Sequence, residues 1–404
     1  MPSPGERHLA ELDVVRCWAF LGVFVFHVLL IHPPEVGSAF ALAAYNAAAV
    51  IKCAGRYGVD MFFTLSAYLI TSLLLNERAR SERIHLGRFY MRRVLRIWPL
   101  YFLVILLVFG AALVLHETQM RSYFWPFVLF AANWAWVFLG TPATPHAIFL
   151  SLMVFWSLGI EEQFYLVWPL FLRKSTLGGL RKAAWGMLAI SAMVRLISWA
   201  SEVPHPGIYA NTLAHLDPIA VGALLAVEWA ETGPNAPATL RRRILGHPAS
   251  LAVGIGLFLL GGWMEASHGI NSFLFILLGY PSVAWGGYLV LACILLNLKP
   301  SRTGIWFRFQ AYLGKISYGL YVIHAFVLVA TPPIAGWITR SHGTLARMGL
   351  LQMSVNFVLA LAATVVLAHL SYVYFESPFL RLKSRFSGMA GGRAAGTADP
   401  VPAP

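Results

Sequence analysis

The stretch VVRCWAFLGVFVFHVLLI, residues 14–31, decides the architecture. It is a continuous apolar run interrupted by Arg16 and His27. At about 1.5 Å per residue it is long enough to cross a hydrocarbon core as a helix. Arg16 and His27 lie eleven residues apart. Steps of about 100° turn that spacing into about three full turns, so both side chains share one helix face. They are separated by about 16 Å along the axis, roughly half a bilayer core. An ionisable residue inside a membrane helix is costly and marks function by default. Two on one stripe suggest a polar track across the bilayer.

The rest of the chain fits a membrane solvent. Of its 404 residues 58% are hydrophobic and 12% charged, with a mean hydropathy of +0.68. Soluble domains carry about 25% charged residues, so an integral membrane protein is expected. MPSPGERHLAELD has too little basic character for a cleavable leader, so the first helix is read as an uncleaved anchor. The net charge of +13 sits in short connectors between apolar runs. That pattern is topological and argues against nucleic acid as a partner. Cys17, Cys53 and Cys293 are isolated among apolar residues and read as buried thiols, with no spacing for a metal site.

Apolar segments of spanning length fall near 13–31, 57–75, 97–115, 152–172, 183–201, 214–230, 249–265, 273–298, 311–331 and 348–374. The most basic connector, with Arg78, Arg80, Arg83, Arg88, Arg92, Arg93 and Arg96, belongs in the cytoplasm. The loop 32–56 then lies outside. A further apolar run, 124–140, poses a parity problem, because a crossing there would export the basic connectors that follow. With Pro126, Asn133, Trp134 and Trp136 it reads as a re-entrant or interfacial segment. The expectation is an all-α protein of about ten transmembrane helices with both termini cytoplasmic. A single membrane domain over 1–386 would precede a Gly- and Ala-rich tail, 387–404, without fixed structure.

This topology brings His27, Asp60, Glu161 with Glu162, and His324 to similar depths in the outer half. Gathered carboxylates and imidazoles are the usual material of general acid–base work. Each has a plainer reading. His27 and His324 can be packing residues, Asp60 can cap a helix, and one glutamate can pair with a distant cation. Arg92 and Arg96 are spaced i, i+4, and clustered guanidiniums suit phosphates, whether of lipid headgroups or of a phosphorylated cosubstrate such as coenzyme A.

Six ordered motifs resemble one family. LDVVRCWAFLGVFVFH (12–27), GVDMFFTLSAYLIT (58–71), FYMRRVLRIWPLY (89–101), WSLGIEEQFYLVWP (156–169), GKISYGLYVIH (314–324) and FESPF (375–379) are similar to signatures of the membrane acyltransferase 3 family. Those proteins are O-acyltransferases of bacterial surface glycans. The chain is similar to the type without a fused esterase-like domain. It departs from the family at Ala67, where Gly is more usual, and in LGIEEQ in place of LSVEEQ.

The resemblance implies a multi-pass protein of the bacterial inner membrane. It takes acyl-CoA, acetyl-CoA in the simplest case, as a cosubstrate rather than a permanent cofactor. Arg16, Arg92, Arg93 and Arg96 would hold the donor. His27 would act as general base on an acceptor hydroxyl, Asp60 would orient it, and Glu161 would bind acceptor or handle protons. Trp156, Ser157, Tyr321 and His324 would line the substrate site. Direct transfer is preferred over an acyl-enzyme on Ser66, Ser157 or Ser317, none of which sits in a nucleophile elbow. The alternatives are a proton-coupled transporter, or a transferase for a lipid headgroup or a small acceptor such as a macrolide.

Overall fold

The computed structural model describes residues 10–29, 39–116, 120–140, 151–232, 240–298, 304–340, 350–382 and 386. Among them every regular element is helical. The longer helices are α1 (Ala10–Val28), α2 (Ala39–Arg56), α3 (Gly58–Ser81), α4 (Leu86–Val114), α5 (Arg121–Val128), α6 (Ala132–Leu139), α7 (Phe155–Lys174), α8 (Leu177–Ala200) and α9 (Asp217–Thr232). There follow α10 (Leu240–Gly246), α11 (Pro248–His268), α12 (Tyr280–Leu296), α13 (Ile305–Lys315), α14 (Ser317–Thr339), α15 (Leu350–Leu370) and α16 (Ser377–Leu382). The tail 387–404 lies outside the described residues.

Among the described residues seven helices are long and apolar enough to cross a membrane: Ala39–Ser81, Leu86–Val114, Leu177–Ala200, Pro248–His268, Phe275–Leu296, Ser317–Thr339 and Leu351–Leu382. Three of the expected spans, α1, α7 and α9, are not in that set. α1 carries Glu11, Asp13 and Arg16, and Glu161, Glu162 and Gln163 interrupt α7. α9 has only 16 residues, but Asp217–Val227 are all buried. A helix apolar on every side belongs inside a bundle. α9 packs against α3, α8 and α12, while Leu106, Leu107, Leu166, Val167, Ile197 and Val253 lie exposed on helices around it.

Two expectations need correction. The segment 32–56 was read as a loop, but Ala39–Arg56 is helical and runs on through Tyr57 into α3 as one apolar stretch of 43 residues. Its AFALAAY and NAAAV runs are rich in alanine, the best helix former. Cys53, on α2, is half-buried rather than buried. The segment 124–140 is α5 and α6, broken at Leu129–Ala131, where Phe130 has φ 54°. Each has eight residues, about 12 Å of helix, and neither can span alone.

α1 is the hub of one half of the molecule, packing against α2, α3, α13 and α14. Its contact with α2 and α3 is backbone to backbone. A Cβ at Gly55 would collide with the Gly22 carbonyl, and one at Gly58 with the Ala19 carbonyl. This close approach fixes α1 against the junction that carries Asp60. Gly58→Val should lower the stability of the purified protein by about 1–3 kcal/mol. Gly110→Ala, where nothing lies within 4 Å of the added carbon, should leave it unchanged or slightly raised. Thermal unfolding in detergent reads both, and equal melting temperatures would refute the backbone contact.

Candidate active site

Three of the four expected arginines converge. Arg16 on α1 lies within electrostatic reach of Arg93 and Arg96 on α4. Arg16 donates to Asp13, one turn before it. The Arg93 guanidinium lies over the rings of Tyr165 and Phe89, at 5.2 and 5.6 Å. Neither Arg93 nor Arg96 makes a hydrogen bond or ion pair among the described residues. Arg92 stands apart. It pairs with Glu77 at 3.6 Å and donates to the Phe386 carbonyl at 2.8 Å, so its fork is already engaged.

Next along the site lies Glu161. Tyr165, one turn later on α7, donates to its carboxylate and is 2.5 Å from the Ser66 hydroxyl. Both Glu161 and Glu162 lie within electrostatic reach of Arg93. Glu162 accepts from the Trp98 indole at 3.3 Å. Further on, the hydroxyls of Ser157 and Tyr321 meet at 2.7 Å, and each reaches the Val154 carbonyl at 3.0 Å. Neither Ser66 nor Ser157 bonds to a histidine, and no hydrogen bond joins Ser317 to one, so none of the three has the adjacent base a nucleophile needs.

At the far end, His324 and His27 meet, Nε2 to Nδ1, at 3.3 Å. His324 is fully buried, whereas His27 is exposed. The Nδ1 of His324 lies 2.6 Å from the Tyr321 carbonyl. A carbonyl only accepts, so that nitrogen carries the proton and Nε2 of the neutral ring is an acceptor. His27 must then donate from Nδ1, which leaves its Nε2 lone pair free at an exposed position. The orienting group is therefore His324, held by a backbone carbonyl.

Asp60 was expected to orient His27, and it does not touch it. Its Oδ1 lies 2.9 Å from Nε2 of His215, whose Nδ1 is 3.0 Å from the Tyr209 carbonyl. Both ring nitrogens face acceptors, so this pair shares one proton between carboxylate and imidazole. His215 is enclosed by the rings of Phe63, Trp156, Tyr209 and Tyr280, with centroids 5.2–5.9 Å away. Trp156 thus serves as a wall of this box. Beside it, Arg195 pairs with Asp217 at 2.9 Å and with Ser191 at 2.7 Å, fully buried. His215, Arg195 and Asp217 were missed from the sequence. The signal was present, since SAMVRLISW and TLAHLDPIAVGALL each place ionisable residues in apolar helix.

The described residues thus form a helical bundle with arginines that make no hydrogen bond or ion pair among them at one end of the polar side chains and an exposed imidazole at the other. The family model for the acyltransferase domain matches residues 9–373. The chain belongs to that acyltransferase 3 family. It is 26% identical over 391 residues to a protein named "Putative O-acetyltransferase SACOL0978" from Staphylococcus aureus strain COL, covering 92% of this chain and 57% of that relative. It is 24% identical over 396 residues to O-acetyltransferase OatA of S. aureus strain NCTC 8325, covering 94% and 58%. The chain therefore spans less than two thirds of the length of these relatives. No solved structure matches it.

The partner exchange has a direct test. In double-mutant cycles on thermal stability, Asp60→Asn and His215→Gln should couple by about 1 kcal/mol or more, as residues in one hydrogen-bonded pair do. Asp60→Asn and His27→Ala should add to within about 0.5 kcal/mol. The reverse ranking would return Asp60 to His27.

Proposed function

We propose that this protein is a membrane-embedded O-acyltransferase. It moves an acyl group, acetyl in the simplest case, from cytoplasmic acyl-CoA to a hydroxyl of a surface or exported glycan, across the bacterial inner membrane. The observation that carries this reading is the hydrogen-bond chain from the Tyr321 carbonyl through His324 to His27. It presents a free base nitrogen at an exposed position. Membership of the acyltransferase 3 family supports acyl transfer, and the names of the relatives support an oxygen acceptor and an acetyl group.

In the proposed reaction Arg16, Arg93 and Arg96 hold the donor's phosphates through charge-assisted hydrogen bonds. The thin arm of the donor follows the polar side chains from Glu161, Tyr165 and Ser66 toward Ser157, Tyr321 and His27. His27 Nε2 takes the proton of the acceptor hydroxyl as its oxygen attacks the thioester carbonyl. The C–S bond then breaks, and the proton returns to the departing thiolate sulfur. Direct transfer is favoured because the candidate serines have no base beside them. Asp60 acts as a positioning residue through His215 and Trp156. The topology that goes with this reading adds α1, α7 and α9 to the seven longer spans, making ten, with the arginine end cytoplasmic and both termini inside.

His27→Ala should reduce acyl transfer by about 10²–10⁴-fold, the usual worth of a general base. The purified variant should still fold and melt only slightly below the wild type, because the ring gives up its bond to His324 and its contact with Phe26. Transfer from radiolabelled acetyl-CoA to surface polysaccharide would be measured, and a near wild-type rate would remove His27 from the mechanism. In a cysteine-free background, a thiol at position 175 should label only from the cytoplasm and one at 267 only from outside. Labelling of position 175 from outside would invert the path.

A further inference from the structure

His27 has neighbours the acyl-transfer chemistry does not use. Lys52 and Arg56 stand one turn apart on α2 and project from the same face. Both lie over the ring of Phe26, with Nζ of Lys52 at 5.8 Å and the Arg56 guanidinium at 4.2 Å. That ring packs edge-on against His27 at 5.0 Å, and both cations act on His27 electrostatically. Arg56 also lies over Tyr209 at 5.2 Å. The carboxylate here, Glu265, is already engaged. It pairs with Arg56 at 3.2 Å and accepts from Tyr57 at 2.5 Å. Lys52 makes no hydrogen bond or ion pair among the described residues, whereas Arg56 meets Glu265 through Nη1 and its Nε is buried without a hydrogen-bond partner.

This arrangement works against a neutral acceptor. His27 must become an imidazolium when it takes the hydroxyl proton, and two nearby cations raise the energy of that state. An anionic acceptor removes the conflict, because its charge neutralises Lys52, the cation that Glu265 does not pair with, as it docks. Resting on the acyl-transfer reading above, we propose that Lys52 and Arg56 form the anion-binding edge of the acceptor site, and that the acceptor is a carboxylate-bearing sugar chain. Lys52 supplies an uncommitted point charge, and Arg56, held beside it by Glu265, adds to the positive edge. The base is then fully effective only when the correct acceptor is in place, so charge recognition and catalysis are linked.

The test is a binding comparison on the full chain in neutral detergent. Calorimetric titration with a hyaluronan tetrasaccharide, which carries carboxylates, is set against chitotetraose, a neutral chain of equal ring number. The charged chain should bind about tenfold tighter or more, the range of one charge-assisted hydrogen bond. The margin should shrink in high salt. Lys52→Glu should abolish the preference, and Lys52→Gln should reduce it, which covers a folding defect in the charge-reversed form. Equal affinity for the two chains, or a preference that survives both substitutions, would overturn the proposal. So would a preference that vanishes when phosphatidylglycerol is added to the micelles, since the cations would then belong to lipid. Thioester cleavage of acetyl-CoA by the wild type is followed in parallel. No cleavage with the preference intact would sink the acyl-transfer reading and leave the anion site standing. Cleavage without preference would do the reverse.

Discussion

An ionised side chain facing hydrocarbon carries a penalty of several kcal/mol, and that penalty organises this molecule. Asp60, His215, Arg195, Asp217 and His324 are all buried. Protein atoms must therefore surround them, which requires an outer layer of apolar helices. The seven long apolar helices supply much of that layer. α9 carries the acid of the deepest ion pair and is wrapped on every side through Val227. Burial also demands partners. Arg195 meets Asp217, His215 meets Asp60, and Arg56 meets Glu265. Each of these buried pairs brings opposite charges together, while Arg93, Arg96 and Lys52 make no hydrogen bond or ion pair among the described residues.

Most of the architecture could be read from the chain. Apolar segment lengths located the principal helices, and the parity of basic connectors kept 124–140 from being counted as a span. The helix at Ala39–Arg56 was missed because a segment between two expected spans was equated with a loop, although its alanines favour helix. The site was legible in part by depth and not by partner. Depth follows from position along a helix, and His27 and His324 do meet, but Glu161 and Glu162, expected at the same depth, lie instead with Tyr165 and Arg93. Partner choice depends on helix rotation and on short turns such as Leu213–His215, which periodicity does not reveal. Asp60 and His27 were assigned to each other only because both were known and His215 was not.

The His27–His324 pair differs from the familiar base with a carboxylate behind it. A carboxylate would stabilise the imidazolium through charge. A neutral His324, tied to a carbonyl, fixes the tautomer of His27 but adds no charge. Orientation of the base is therefore supplied by α14, while the charged side chains nearest to it, on α2, are cations that do not compensate an imidazolium.

The unbroken run from α2 into α3 sets a limit on how sequences of this kind can diverge. Lys52, Arg56, Asp60 and Ser66 ride on one stretch, and their relative directions are set by residue count. Inserting or deleting one residue between Lys52 and Ser66 would rotate everything beyond it by about 100°, carrying Asp60 off His215 or the cations off Phe26. Single substitutions along α2 leave that register intact. Related chains should therefore vary in composition over 39–51 more than at Lys52, Gly55 and Arg56, yet keep the spacing from that segment to Asp60 constant.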